Sequence, residues 1–384
     1  MSKSRPPRNP LILRFGVEVF RRLSKDDSLP VAPDAVHILN ATEQARLKTI
    51  ERAAIFRAAW IGVLSAIICA FSWFIAEWIL GPSSAEATFW DARWHYAIMM
   101  GLVSFATGIE IVLLYWNALV AVHRMAVAAG LQMFAENGQP NTILNALTKV
   151  ALELPNSRKA TLFAQPGREV SRFWVVLAAV LYRLKVTATY YIIKAIVQRF
   201  LGRVMVKWMV ELVAIPVFAL WDAMITFWVL RQARVCAIGP SAVVDYISQI
   251  HETHPNLTAE CRIALLCSVG SIVARNPHLH PNVELLLREL ADLYGMPENT
   301  QIDDSANLLD LIGRLEPDQQ EIILQTLTVA IIIDGKASIW EKRLLQSCLR
   351  ICGKPTNLSD LTAALKRFRQ GEPIGLQPIF GERP

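Results

Sequence analysis

The apolar positions of this 384-residue chain follow three patterns, and each predicts a different kind of helix. Residues 59–80 are an apolar run that carries no charge before Glu77 and stops at Gly81-Pro82. As a helix such a run is about 33 Å long, enough to cross the hydrocarbon core of a bilayer. A second run covers 95–122, so the two predict a transmembrane hairpin over 59–122. Gly62, Ala66 and Ala70 recur at every fourth position of the first run. Small residues so spaced let another helix approach closely, although apolar helices also carry the spacing by chance. Glu110 stands near the middle of the second run, where an ionisable group is costly. It is either a functional group or a neutral acid hydrogen-bonded to Ser104, Thr107 or another helix.

The second pattern mixes apolar and basic residues. Arg172, Arg183, Lys185, Lys194, Arg199, Arg203 and Lys207 stand among apolar and aromatic neighbours. This predicts helices lying in the membrane interface, their basic ends reaching lipid head groups. The segment 208–230 is long enough to span a bilayer but holds Pro216 and two acids, Glu211 and Asp222. These acids fall on nearly one helical face. They mark a polar path, or they pair with the basic residues just named.

From residue 239 onward the pattern is that of short amphipathic helices with caps. Helices are expected over 241–252, 259–275, 282–294, 305–315, 318–333, 338–352 and 360–369. Gly295 and Gly353 suit helix C-termini. The chain is therefore expected to be all-α: an N-terminal transmembrane hairpin, then amphipathic or membrane-embedded basic helices, then a soluble helical domain over 240–371. A basic region with an amphipathic helix (1–58), a helical connector (125–171) and a tail (372–384) complete it.

Charge and tryptophan content follow the same division. Ten of the eleven tryptophans lie between Trp60 and Trp228. Residues 1–239 carry a net charge of +11 and residues 240–384 a net charge of −5. A basic, Trp-rich front and an acidic rear fit a membrane part facing anionic lipids, followed by a soluble part. The positive charge adjoins the most apolar segments, so nucleic acid is not the expected partner. Arg46, Lys48, Arg52 and Arg57 precede the hairpin, while Arg124, Lys149, Arg158 and Lys159 follow it. The positive-inside rule then places both flanks in the cytoplasm and the loop 81–94 outside, with Trp78, Trp90 and Trp94 at the outer interface. The six cysteines form no C-x-x-C pair and read as buried free thiols of a reducing compartment. Residues 11–23, interrupted by Arg14, Arg21 and Arg22, do not make a signal core. Asn256-Leu257-Thr258 and Asn357-Leu358-Ser359 precede helices and read as turn and capping residues rather than glycosylation sites.

Two segments carry family resemblances. The run Val213-Ala214-Ile215-Pro216-Val217-Phe218-Ala219-Leu220-Trp221-Asp222-Ala223, with Thr226 and Arg231-Gln232-Ala233-Arg234, resembles the EcsC family of bacterial membrane-associated proteins. Ala219, Leu220 and Trp221 stand where that family favours glycines. The segment from Leu327 to Leu345 is similar to the TerB-like (tellurite-resistance) helical domain, matching its acidic turn at Asp334, Gly335, Ser338 and Glu341. Residues 264–274 and 284–290 echo its layout, with Asn276-Pro277 in place of Asp-Gly. The TerB resemblance implies an acidic patch at Asp334 and Glu341 that would hold a divalent metal weakly. The same residues also read as a capping box, Ser338-x-x-Glu341, after an Asp-Gly turn.

Two histidine pairs look like metal motifs and are set aside. His251-Glu252-Thr253-His254 brings its second histidine one position too early for a zinc helix. His278 and His280, in a Pro-rich turn, are expected to be solvated. No phosphate-binding glycine loop or nucleophile elbow is present. The expectation is a non-enzymatic scaffold or stress-response adaptor of the bacterial cytoplasmic membrane, without a resident cofactor. Its partners would be the bilayer and its anionic lipids, a cytoplasmic protein, and further copies of the chain. An oligomeric transporter or channel using Glu110, Glu211 and Asp222, or a lipid-binding or remodelling protein, are the alternatives.

Overall fold

In a computed structural model of the chain, the described residues are 11–26, 41–81, 93–131, 133, 142–152, 207–255, 257–275, 280–295, 302 and 304–372. Among them the regular structure is α-helix, with no strand. The helices are α1 (Leu11–Asp26), α2 (Ala41–Leu80), α3 (Arg93–Ala128), α4 (Thr142–Ala151) and α5 (Lys207–Thr253). They continue with α6 (Ala259–Arg275), α7 (Pro281–Tyr294), α8 (Ser305–Arg314), α9 (Pro317–Ile333), α10 (Ile339–Ile351) and α11 (Ser359–Arg369). Two compact units result, each discontinuous in sequence: Thr49–Ala121 with Gly167–Leu230, and Met1–Lys48 with Val122–Pro166 and Arg231–Pro384.

In the first unit α2 and α3 pair as an antiparallel hairpin. His95 Nε2 donates to the Gly81 carbonyl at 2.9 Å, Ser65 Oγ donates to Glu110 at 2.7 Å, and Asn117 Nδ2 donates to the Ala54 carbonyl at 2.9 Å. Residues late in one helix thus meet residues early in the other. By length and composition, α2 and α3 are the described helices able to cross a membrane. Their outward faces are apolar: Trp60, Leu64, Phe71 and Trp78 on α2, and Trp94, Phe105, Val112 and Trp116 on α3, are all exposed. In α5, Leu220, Met224, Phe227 and Trp228 make an exposed apolar stripe at helical spacing. The helix α2 begins well before residue 59 because 41–58 is built largely from Ala, Arg, Glu, Gln, Leu and Lys, which are strong helix formers.

The second unit is organised around α9, which touches α6, α7, α8, α10 and α11. Its residues from Ile322 to Ile333 are apolar on nearly every side and almost all buried, as a central helix requires. Thr326 and Thr328 sit in this core by donating to the Ile322 and Leu324 carbonyls one turn back. Tyr246 of α5 meets Thr326 at 2.6 Å, so the hydroxyl pair is satisfied without water. Gly270 of α6 lies against the Ile302 carbonyl so closely that a β-carbon there would overlap it.

Three expectations need correction here. The boundary expected at 239–240 does not exist as a break: 208–230 and 241–252 are parts of one helix, α5. Pro240 cannot donate to the Cys236 carbonyl one turn earlier, yet the helix continues through it. A side chain from α7 braces the helix beside this gap. Asn282 Nδ2 donates to the neighbouring Val235 carbonyl at 2.9 Å, and Gly239 leaves the space that this amide occupies. Second, α1 and α4 are not separate from the C-terminal helices. They pack on each other, α4 also meets α7, and Leu13, Val17, Val19 and Phe20 of α1 are buried. Third, His280 is not solvated but buried at the start of α7.

Candidate functional site

The acids of the apolar helices, Glu110, Glu211 and Asp222, are the residues with most chemistry to explain, and α2 decides where they go. Gly62 has no side chain, so α5 comes close at this point: a β-carbon at Gly62 would stand 2.6 Å from Asp222 Oδ2 and 2.9 Å from the Phe218 carbonyl oxygen. Ala66 is buried and Ala70 half-buried on the same stripe. One turn along α2 from Gly62, Ser65 hydrogen-bonds Glu110 of α3. Cys69 follows in reach of both Ser65 and Glu110. The structure therefore brings two of the three expected acids, Glu110 and Asp222, to one turn of α2 in this unit. Thr226 and Asn117 are buried polar residues of the same unit. Of the partners the sequence offered Glu110, namely Ser104, Thr107 or another helix, the structure shows the last: Ser65 on the opposite helix. Glu211 belongs to α5, but its side chain lies outside the described residues, as does that of Lys207. Arg172, Arg183, Lys185, Lys194, Arg199 and Arg203 lie outside them altogether.

In the other unit, the Asp334 turn is built as a helix junction. Asp334 closes α9, Gly335 takes φ +71°, and Ser338 caps α10. The capping box is complete: Ser338 Oγ accepts from the Glu341 amide at 3.2 Å, and Glu341 Oε2 accepts from the Ser338 amide at 2.7 Å. Glu341 is buried in this role. Among the described residues, no three His, Cys, Asp or Glu side chains gather as a metal site would need. Arg369 Nε donates to the Gly335 carbonyl at 2.6 Å, fixing α11 against the turn.

Beside this junction lies a polar knot that the sequence did not single out. Asn282, 1% exposed, donates to the Val235 carbonyl of α5 and to the Ile333 carbonyl at the end of α9, both at 2.9 Å. His280 Nδ1 accepts from the Asn282 amide at 3.3 Å, which leaves Nε2 to donate toward Cys236 Sγ at 3.5 Å. Burial, then the nearby Lys336 charge, pulls His280 down to about 3. Burial, reinforced by Asp334, pushes the Cys236 thiol up to about 12. Both groups are therefore neutral at physiological pH, and the thiol is not activated as a nucleophile. A shallow cleft adjoins them, lined by Ala146, Cys236, Pro240, Glu284, Leu285 and Arg288. Burial lowers Lys149 and raises Glu284 from their ordinary values. The sequence signal for the knot was Pro281: a proline at the first helical position makes the residue before it a capping position.

The fold and these groups define a helical protein with two apolar helices long enough to cross a bilayer and a second, ordinarily packed helical unit. Compared with protein-family models, curated proteins and solved structures, the chain matches none.

Proposed function

We propose that this chain is a membrane-anchored scaffold or adaptor, which holds its helical second unit at the cytoplasmic face for a protein partner. The observation that carries the anchor is the placing of exposed tryptophans at both ends of the α2–α3 hairpin. Trp60 and Trp116 mark one end, and Trp78 and Trp94 the other. At 1.5 Å per residue the two ends are about 27 Å apart along α2 and about 33 Å along α3, the thickness of a hydrocarbon core. Tryptophan favours the two borders of that core. The basic flanks and the acidic loop support a cytoplasmic location for both ends of the hairpin. The resemblance of Asp334, Gly335, Ser338 and Glu341 to a TerB-like turn, and of the Pro216 region to EcsC proteins, supports an adaptor role in a bacterial cytoplasmic membrane.

Topology is tested by impermeant-maleimide labelling of whole cells, with Cys69 and Cys352 first replaced by serine. Ser84→Cys should label from outside, and Glu252→Cys only after permeabilisation. Labelling of both from one side would remove the hairpin. The partner is sought by cross-linking the whole chain in its membrane, since a fragment starting at residue 240 would cut α5 and lose α1 and α4. Repeated failure to capture one protein above an untagged control would remove the adaptor.

A second reading has its own observation, the placing of Glu110 and Asp222 against one turn of α2, at Ser65 and Gly62. Two carboxyl groups at one level can pass a proton or screen a cation in an oligomeric transporter. Glu110→Gln keeps an oxygen for Ser65 but cannot ionise. Proton or sodium flux in liposomes that is present in the parent chain and lost in this variant would replace the scaffold reading.

A further inference from the structure

The start of α10 leaves two large apolar side chains in water. Ile339 and Trp340 are 69% and 59% exposed. Exposed single hydrophobes are ordinary, but these two stand with exposed basic side chains. Lys336 and Arg343 are exposed, and Arg343 lies 5.3 Å from the centre of the Trp340 ring. Arg369 reaches the Gly335 carbonyl of the same turn. Burial first, and the Arg231 charge next, hold the Arg369 guanidinium below its ordinary value. The acids of the turn, Asp334 and Glu341, are less exposed than Lys336 and Arg343. Glu341 is buried with an oxygen held by the Ser338 amide, and Asp334 is half-buried.

We propose that the Gly335–Arg343 turn docks on anionic lipid head groups, with Ile339 and Trp340 entering the interface and Lys336, Arg343, Arg369 and Arg231 meeting the lipid charge. Two side chains offer far less area than the roughly 800 Å² per partner that a stable protein interface buries. A bilayer border accepts so small an insertion when cations accompany it. Tryptophan, apolar in body with one polar N–H, suits that border. Each Lys or Arg near an anionic leaflet contributes about 1 kcal/mol, so removing one should weaken docking roughly fivefold. The packing partner of Gly335 is Val235, which follows the exposed Trp228 by seven residues in α5. The inference goes beyond the anchor: docking needs a lipid surface, whichever segment spans it.

The test is hydrogen exchange of the whole chain in nanodiscs of phosphatidylcholine alone and with about 30% phosphatidylglycerol, enough to give the leaflet an anionic surface potential. The Ile339 and Trp340 amides are the first of α10 and have no partner within the helix, so they report any covering layer. Exchange there should slow at least fivefold in the anionic discs, and the slowing should fade at about 0.5 M salt, where surface charge is screened. Trp340→Ser should abolish it, and Arg343→Gln should reduce it about fivefold. Recovery of both variants with the discs, as for the parent chain, shows the anchor intact and separates its failure from failure of the docking. Equal exchange in both disc types overturns the proposal. So does slowing that tracks the number of chains per disc, which would mean a second copy, or slowing already present in detergent.

Discussion

Replacing Gly239 or Asn282 should each destabilise the second unit, and replacing both should cost no more than replacing Asn282 alone. The reason is geometric. Asn282 Nδ2 bonds the carbonyls of Val235 and Ile333, and a β-carbon on Gly239 would overlap that amide group. Asn282→Ala strands the Ile333 carbonyl, at a helix end where no intrahelical donor exists, and removes the second bond to the Val235 carbonyl. A stranded buried acceptor costs about 1–3 kcal/mol, so a cost of about 2 kcal/mol is expected. Gly239→Ala expels the amide and breaks the same two bonds, offset by about 1 kcal/mol of helix propensity. In the double variant the new methyl group occupies the space that the amide left. The cycle should therefore show a coupling of about 2 kcal/mol, far outside the scatter expected of independent sites. Asn282→Asp is the sharper control, since a buried carboxylate cannot donate to either carbonyl and should be worse than alanine. The readout is hydrogen exchange at the end of α9 and in α5 near Pro240, which reports local opening in a chain of two units where one global midpoint is ill defined. Additive costs, or an Asn282→Asp variant as protected as the parent, would refute the argument.

His280 should give the second unit an acid limb: its folded value, about 3, lies below the ordinary 6.5. The unfolded chain then binds a proton first, so the contribution is complete above about pH 6.5 and declines by about 1.4 kcal/mol per unit as pH falls toward 3. Midpoints measured from about pH 7 to 4, inside that window, should fall less steeply for His280→Gln than for the parent; parallel curves would reject the assignment. Gly62→Val should separate α2 from α5, because the added atoms meet the Phe218 backbone carbonyl as well as the flexible Asp222 side chain. Overpacking of this kind costs about 1–3 kcal/mol, and a midpoint unchanged in detergent would argue against close helix contact there. Ser338→Ala should cost about 1 kcal/mol and speed exchange at the Glu341 amide, whereas unchanged protection would mean that the capping box is not formed.

The helices of the second unit were legible because their signals are local. The expected span 259–275 is α6 itself, and Ser338 with Glu341 spelled out the cap that the structure forms. The two long apolar helices were legible for a similar reason: an apolar run of that length is itself a local signal. What escaped the sequence were the places where a distant side chain overrules a local signal. Gly239-Pro240 is a strong breaker by itself, yet α5 crosses it with Asn282, from beyond the next helix, donating to the carbonyl beside the gap. Nothing in the neighbouring sequence of Pro240 announces that donor. A partner for Glu110 on another helix was among the expectations, but Ser65 itself could not be named, because it is 45 positions away and only the hairpin register makes it a neighbour. His280 was misjudged because a Pro-rich turn suggests solvent, whereas burial behind α5 is a property of the packed unit. At Pro240 and at His280 the error lay in assigning to a segment what belongs to a contact. It follows that the two acids of the first unit cannot be understood from their own helices. Glu110 and Asp222 owe their common level to α2, whose Gly62 admits one helix and whose Ser65 holds another. A substitution at Gly62 should therefore disturb any joint property of the acids more than one at Ala70, although neither residue carries a charge.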